Sequence, residues 1–339
     1  MTTEIADRLK DLFDDELSRL IRRVSDQPRV GEPEEGNHEI RSMVWKALVD
    51  LGALEADFAG EVRIAEILGT VLYQGPYLDT LAAAGLLFPA SDNEPTADPE
   101  RTTPVGASIS DGAGWTVDGD QVTATRVISS APEARAFVVC GPAEGEGWAA
   151  ALLPADHPSV RMTRIESAGR GEDYRVSFEA TPVTRWIDTS PWYDVNKRLR
   201  LRQAAYLVGV AQAALDHACA YARTRRQFGQ PIGKFQSIAF RLSEMHVRID
   251  SLRSLVHDPT GPDYAAANLA SAAELAIDIT TACMQIVGAT AMVESNDAQL
   301  FYRKAGWEAV RLGTPAQMRL ASMREEPLPL MGCQESTDI

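Results

Sequence analysis

The chain has 339 residues, of which 45% are hydrophobic and 24% are charged, so it is long enough to bury a large core and to divide into two or three domains. Its formal net charge of −15 argues against nucleic acid and anionic membrane surfaces as main partners, because both would repel an acidic protein.

The sequence shows no sign of a metal site, a signal peptide or a membrane-spanning segment. The four cysteines lie far apart without a Cys-x-x-Cys pair, and together with the five scattered histidines they give no metal-ligand spacing, so no metal is predicted. Met1 to Lys10 contain no apolar segment of the kind that a signal peptide needs, and no run of 18 apolar residues occurs. We therefore expect a cytoplasmic protein without a membrane partner.

Residues 1–90 are predicted to form an N-terminal helical domain. Apolar residues repeat at helical spacing in the first of its helices, at Leu9, Leu12, Phe13, Leu17, Leu20 and Val24. A polar loop at 28–37 follows, and further helices are predicted over about 38–51 and 64–72 and from Pro76 to about residue 88.

Residues 91–190 have a different pattern and are predicted to form a middle antiparallel β-barrel domain. Short alternating or β-branched segments are separated by turn residues such as Asp118-Gly119. The predicted strands are 115–117, 122–128, 136–140, 148–153, 160–165 and 174–178. This spacing is typical of a small barrel or sandwich.

Residues 191–325 are predicted to form a C-terminal four-helix bundle, and 326–339 a tail. Long apolar stripes run through three helices, at Leu201–Ala218, Ile238–Val256 and Leu269–Ile286. The predicted order along the chain, a helical domain followed by a β domain and a helix bundle, is not that of a Rossmann fold. No glycine-rich loop joins a predicted strand to a helix, so a nicotinamide site is not expected.

The segment from Tyr221 to Gln236 contains the most specific motif of the chain. Arg225 ends a helix before a turn at Gly229-Gln-Pro-Ile, so its guanidinium projects from a helix terminus, where a planar fork of donors suits a pyrophosphate. Phe228 offers a flat apolar face, and Gln236 offers an amide that both donates and accepts hydrogen bonds.

This segment closely resembles the signature of the acyl-CoA dehydrogenase family. Gly209-Val-Ala-Gln-Ala-Ala-Leu-Asp-His upstream and Gln285-Ile-Val-Gly288 downstream extend the resemblance, which covers roughly residues 190–320 well and the rest loosely. It implies the acyl-CoA dehydrogenase-like fold and FAD as the cofactor. It also implies that Arg225, Phe228 and Gln236 reach across a subunit interface to the pyrophosphate and adenosine half of a neighbour's FAD. Gln285 and Gly288 match positions that approach the same cofactor.

The resemblance also shows where a catalytic base is expected and is missing. Family members remove an α-proton from an acyl thioester with a glutamate, whose pKa must rise toward the working pH, while the flavin takes a hydride from the β-carbon. The commoner Glu-Gly-Thr element falls on Leu312-Gly313-Thr314, which makes Thr314 a further candidate for cofactor binding. The second base position, beside the arginine that matches Arg200, falls on Leu199. Neither leucine has a titratable group, so no catalytic residue is assigned.

Three acids lie in the helical region where a substitute base could be placed. They are Glu294, Asp297 and Glu308, and the favoured interpretation of each is a surface charge on a helix.

The side of the site that would contact the flavin ring also departs from the family. Its loop falls on residues 93–100, where Asp98-Pro99 replaces a Gly-Ser pair; proline removes a backbone donor and a carboxylate repels phosphate. The tryptophan of the next strand falls near Thr123. The residues that match the family are therefore those expected to bind the adenosine half of FAD. The residues that depart from it are those expected to contact the flavin ring and to remove the substrate proton.

Arg200 and Tyr206 are the candidate substrate residues. The family arginine supports the active-site face of the bundle, whereas the alternative is that Arg200 is one more solvated charge in the basic run 197–202. Tyr206 lies on the same helical face as Leu199.

Three functions remain open. The chain is a base-lacking subunit of a heteromeric acyl-CoA dehydrogenase whose homologous partner supplies the base, or a homo-oligomeric FAD protein with altered chemistry on a CoA- or carrier-protein-bound thioester. In the third, redox chemistry is lost and the acyl cavity serves a tailoring role, such as cyclase or lyase, in natural-product biosynthesis. A redox-active form would need an electron-acceptor flavoprotein as partner.

Overall fold

A computed structural model of the protein describes residues 2–13, 18, 21–22, 35–73, 75–88, 104–108, 115–142, 148–166, 169, 173–258 and 264–325. The predicted ring-side loop at 93–100, the tail at 326–339 and three apolar residues of the first stripe (Leu17, Leu20 and Val24) lie outside these residues.

The N-terminal helices are α1 (Thr2–Leu12), α2 (Glu35–Asp50), α3 (Phe58–Thr70) and α4 (Tyr77–Leu87). The α3 helix begins six residues before the predicted start, because the Asp57 side chain caps it by accepting a hydrogen bond from the Gly60 amide at 2.9 Å. Pro76 precedes α4, as the sequence predicts.

The middle segment forms two four-stranded sheets. Their strands are β1 (Val105–Ser108), β2 (Thr116–Asp118), β3 (Gln121–Ser129), β4 (Ala136–Pro142), β5 (Trp148–Pro154), β6 (Val160–Arg164), β7 (Asp173–Pro182) and β8 (Arg185–Ile187). The strand orders are β1-β4-β5-β8 and β2-β3-β7-β6. All six predicted strands are present, but β1 and β8 were not predicted. The β1–β4 pair is parallel, so the antiparallel prediction is wrong for that pair.

The C-terminal segment is helical and begins with a 33-residue helix. It contains α5 (Trp192–Thr224), a hairpin of β9 (Arg226–Gln227) and β10 (Gln230–Pro231), α6 (Gln236–Val256), α7 (Ala265–Val287), α8 (Asp297–Glu308) and α9 (Pro315–Glu325). The predicted stripe of α5 is fully buried, and those of α6 and α7 are buried or half-buried. By length and composition alone the segment Ala265–Met292 is apolar enough to cross a membrane, but α7 packs against α5, α8 and α9 as a core helix of the bundle.

The N-terminal and C-terminal helices share one hydrophobic core. Leu9 and Leu68 belong to the same cluster as Leu269 and Phe301. The α3 and α5 helices approach so closely that a Cβ at Gly69 would lie 2.0 Å from the Tyr206 carbonyl oxygen. The two helical segments therefore pack as one body, although the predicted domain boundaries stay a prediction.

Candidate functional site

The hairpin after α5 presents an aromatic side chain to solvent. The Arg225 amide donates to the Tyr221 carbonyl at 2.8 Å and closes the helix, and the Ile232 amide donates to the Arg225 carbonyl at 2.8 Å and closes the hairpin. At the tip, Phe228 has φ 47° and Gly229 has φ 82°, the left-handed pair that a two-residue hairpin turn requires. As a result the Phe228 side chain is 92% exposed.

Three polar side chains of the predicted nucleotide site are exposed. Within the described part of the chain, the side chains of Arg225, Gln236 and Gln285 make no hydrogen bond or ion pair. An exposed guanidinium without a carboxylate partner is a ready site for a phosphate group.

The ends of α5 and α7 lie side by side, which brings the two halves of the predicted nucleotide site to one end of the bundle. Gly288, with φ 73°, ends α7. Tyr221 of α5 packs against Met284 of α7, and its hydroxyl accepts a hydrogen bond from Thr290 Oγ1 at 3.5 Å. The guanidinium, the amides and the exposed ring are groups of the kinds that can bind a pyrophosphate and an adenosine, and their role in FAD binding stays a prediction.

Thr314 has a different local role. Its Oγ1 donates a hydrogen bond to the side-chain Oε1 of Gln317 at 3.0 Å, and the backbone N–H of Gln317 donates one to Thr314 Oγ1 at 3.3 Å. With Pro315 at the first helical position, this is a capping box that starts α9. The structure explains Thr314 as a helix cap, and its cofactor role stays a prediction.

Leu199 and Leu312 meet in one apolar cluster, although they are more than a hundred residues apart in the chain. Leu199 is a buried member of the cluster that contains Ala82 and Leu86 of α4 and Val138 of β4, and the half-buried Leu312 packs against that cluster. The two positions at which the resemblance implies a base are therefore apolar and are associated with the same cluster, and their assignment as base positions stays a prediction. Thr123, at the expected tryptophan position, instead accepts a hydrogen bond from the Ala180 amide at 3.0 Å.

A buried polar network includes Arg311, which precedes Leu312 in the chain. The Arg311 guanidinium donates to Asp79 Oδ1 at 2.6 Å and lies 3.7 Å from Glu308 Oε2. Gln203 Nε2 donates to the same Glu308 carboxylate at 3.0 Å. Burial raises the pKa of Asp79 to about 6 although Arg311 opposes the shift. Burial would lower the pKa of Arg311, but the two carboxylates hold it above its usual value.

This network corrects the prediction that Glu308 is a surface charge, because its residue is only 1% exposed. Glu294 is exposed, as predicted, and Asp297 is partly exposed and pairs with Arg22 at 3.2 Å. Asp79, Gln203 and Arg311 were not predicted as site residues. The stripe of Phe301 and Ala305 continues to Glu308 at helical spacing and could have revealed it.

The two candidate substrate residues are both buried. Arg200 is 9% exposed, so the interpretation as a solvated charge is wrong. Tyr206 is 4% exposed, and burial raises the pKa of its phenol well above the usual value. Tyr206 OH, Asp79 Oδ2 and Gln203 Oε1 are buried without a hydrogen-bond partner among the described residues. Such atoms usually meet water or a ligand.

Comparison with known proteins agrees with the fold and the motif. Residues 197–325 match the family model of the acyl-CoA dehydrogenase C-terminal domain. The chain is 37% identical over 120 residues to acyl-CoA dehydrogenase IpdE2 of Mycolicibacterium smegmatis. The aligned segment covers 34% of this chain and 39% of that relative. It is 29% identical over 283 residues to the probable acyl-CoA dehydrogenase YngJ of Bacillus subtilis, with 76% and 73% covered.

A solved structure gives the same fold. A chain of the ChsE4-ChsE5 complex from Mycobacterium tuberculosis superimposes with a TM-score of 0.75 over 96% of this chain and 98% of that one, at 22% identity. Together, these comparisons show an acyl-CoA dehydrogenase C-terminal domain over residues 197–325 and an acyl-CoA dehydrogenase-like fold for the chain.

Proposed function

We propose that the chain is one subunit of a heteromeric acyl-CoA dehydrogenase-like enzyme, located in the cytoplasm, which acts on an acyl thioester of CoA or of an acyl-carrier protein. A homologous partner supplies the base, and this chain contributes the nucleotide-binding end of the bundle. The observation that carries the proposal is the apolar cluster that contains Leu199 and packs against Leu312, the two positions at which the family resemblance implies a base.

The retained end of the bundle supports a shared FAD. Arg225 would contact the pyrophosphate, Phe228 would cover the adenosine, and the amides of Gln236 and Gln285 would hydrogen bond to the same half. Bound FAD would supply the acceptor for a hydride from the substrate β-carbon, and electrons would pass to an acceptor flavoprotein. Because these side chains face solvent, a second subunit is needed to enclose the cofactor. The structural neighbour named above is itself a complex of two differently named chains.

Co-expression with neighbouring homologues tests this proposal. The chain purified alone is expected to be colourless, and a co-purified complex is expected to show the visible absorption of flavin. Arg225→Ala should weaken FAD retention by the complex about 10- to 100-fold, because a hydrogen bond to a charged group contributes about 1.5–3 kcal/mol. The matched control is Arg241→Ala, which removes another exposed arginine, in α6, and should leave FAD content unchanged.

Full FAD occupancy and turnover by the chain alone would contradict the heteromeric proposal. That outcome would favour a homo-oligomeric flavoprotein with a proton acceptor of its own. Asp79 is the candidate for this proton acceptor. Asp79 is buried beside the leucine cluster, its pKa is raised to about 6, and one of its carboxylate oxygens has no partner in the described part of the chain. A base with a pKa near the working pH is efficient. In that case Asp79→Asn should abolish turnover while flavin absorption remains.

A chain that stays colourless in every combination but converts an acyl thioester would instead favour the redox-inert tailoring function. Following substrate consumption by mass spectrometry in the same samples separates this outcome from simple inactivity.

A further inference from the structure

A cavity of about 480 Å³ opens where the N-terminal helices meet the bundle. It is lined by the end of α1, the second half of α3, the middle of α5 and the last turns of α6. The volume is within the usual range for small-molecule sites. None of the residues that the family resemblance assigns to FAD or to the substrate lines it, so the predicted flavin site does not account for this cavity.

The half-buried polar head groups of the lining are engaged with one another. Arg253 Nε donates to Glu66 Oε1 at 2.7 Å, and the other carboxylate oxygen of Glu66 lies 2.6 Å from His257 Nε2. Arg253 Nη2 donates to Gln212 Oε1 at 2.7 Å. Because these head groups contact each other, carbon atoms form most of the surface that the cavity presents, with the buried Ile67 among the lining residues. An alkyl chain can therefore pack against this wall.

Two further cations line the cavity and are accessible to a ligand. Lys10 and Arg63 are exposed, and their side chains make no hydrogen bond or ion pair with another residue that the structure describes. With Arg253 the lining holds three cations. They face two carboxylates, Glu66 of the lining and Asp250, which pairs with Arg253. With the histidine counted as neutral, one positive charge is left over, in a chain whose net charge is −15.

The carbon wall and the excess positive charge together select the class of ligand. A neutral apolar molecule would use the wall but leave both accessible cations without a partner. A small dianion such as phosphate would exceed the single excess charge and would find few polar partners on a wall of carbon atoms. A carboxylate on a short alkyl chain uses both features, because its oxygens accept charge-assisted hydrogen bonds from lysine and arginine while the chain is removed from water.

We propose that this cavity binds a small alkyl monocarboxylate, with the carboxylate between Lys10 and Arg63 and the alkyl chain along the carbon wall beside Ile67. The site uses none of the residues assigned to FAD, so its test needs neither FAD nor a partner subunit.

Three probes of the same chain length isolate the contribution of the charge. They are hexanoate, hexanamide and hexylamine, and each is titrated into the full chain while the methyl signal of Ile67 is followed by NMR. Hexanoate should bind about five- to tenfold more tightly than hexanamide, as expected for two solvent-accessible ion pairs, and hexylamine should bind most weakly. Raising the salt concentration from about 0.05 M to about 0.5 M should remove most of this preference. The methyl signal of Ile277, an exposed residue of α7, should not move.

Two double variants with the same change in net charge locate the carboxylate. Lys10→Gln combined with Arg63→Gln removes both accessible cations, so hexanoate and hexanamide should then bind equally. Lys46→Gln combined with Arg241→Gln removes two exposed cations that do not line the cavity and should leave the preference for hexanoate unchanged. Because all four positions are exposed, both double variants should fold, and thermal unfolding checks this.

Equal binding of hexanoate and hexanamide to the unmodified chain would overturn the proposal. A preference that survives the loss of Lys10 and Arg63, or that disappears equally in the control double variant, would overturn it as well, because the charge would then act from elsewhere on the protein. An Ile67 methyl signal that stays in place at about 20 mM hexanoate would also refute it, since a ligand of this size that fits a cavity should bind with a Kd of about 10 mM or lower.

Discussion

Asp79→Asn should change how the stability of the protein depends on pH. In the folded protein the pKa of Asp79 is raised to about 6 from its ordinary value of 3.8, with burial as the main cause and Glu308 and Asp173 adding to it against Arg311. The folded state thus keeps a proton that the unfolded chain releases. Stability from this group is therefore present below about pH 4 and is lost as pH rises through about 6.

The size of the effect follows from the two pKa values. Their difference corresponds to about 3 kcal/mol over the whole range, because each pKa unit is about 1.4 kcal/mol. Between pH 4.5 and 7.5 the unmodified chain should lose about 2 kcal/mol from this group, and Asp79→Asn should lack that loss. Asp79 is 5% exposed, so solvent screening removes little of the effect.

Urea unfolding at pH 4.5, 5.5, 6.5 and 7.5 measures this difference. The free energy of unfolding of the unmodified chain, minus that of the variant, should fall by about 2 kcal/mol across the series. Glu244→Gln, at an exposed position of α6, is the matched control and should give a constant difference. A constant or rising difference for Asp79→Asn would refute the argument that burial outweighs the Arg311 ion pair.

Two further predictions concern helix packing and capping. Thr314→Ala should cost about 1 kcal/mol in urea unfolding, since it breaks the capping box with Gln317, and Gln317→Ala added to it should cost little more. Gly69→Ala should lower the free energy of unfolding by about 3 kcal/mol or more, because its Cβ would lie 2.0 Å from the Tyr206 carbonyl oxygen. Gly306→Ala meets no atom within 4 Å in α8 and should stabilise by about 0.5–1 kcal/mol; an equal loss at both glycines would contradict the close-packing argument.

The sequence predicted most of the fold because strong periodic patterns encode it. The stripes of α5, α6 and α7 mark the bundle, and six strands follow from alternating or β-branched segments. The strands β1 and β8 have only four and three residues and pair with strands distant in the chain, so no local turn marks them. The equally short β2 was predicted because the Asp118-Gly119 turn joins it to its partner β3. The parallel β1–β4 pair likewise depends on tertiary structure, which local sequence does not encode.

The site was predicted less completely, and the reason is burial. The hairpin residues could be found because turn chemistry around Gly229 is local. Arg202 and Arg200 were not recognisable as buried, because α5 is enclosed on nearly every side from Leu199 to Leu215 and has no polar face to compare with. Asp79 was missed for a similar reason, since its partner Arg311 is more than 200 residues away in the chain.

The core shared by the first and last helices has a consequence during synthesis. Leu68 finds its neighbours in α5 and α7 only after the whole β segment has been made. At the usual rate of translation, roughly 5–20 residues per second, the apolar faces of α1 to α4 would wait on the order of ten seconds or more for their partners. The emerging N-terminal segment would therefore expose apolar surface of the kind that chaperones bind, and a chain that stalls before α5 would leave that surface open to aggregation.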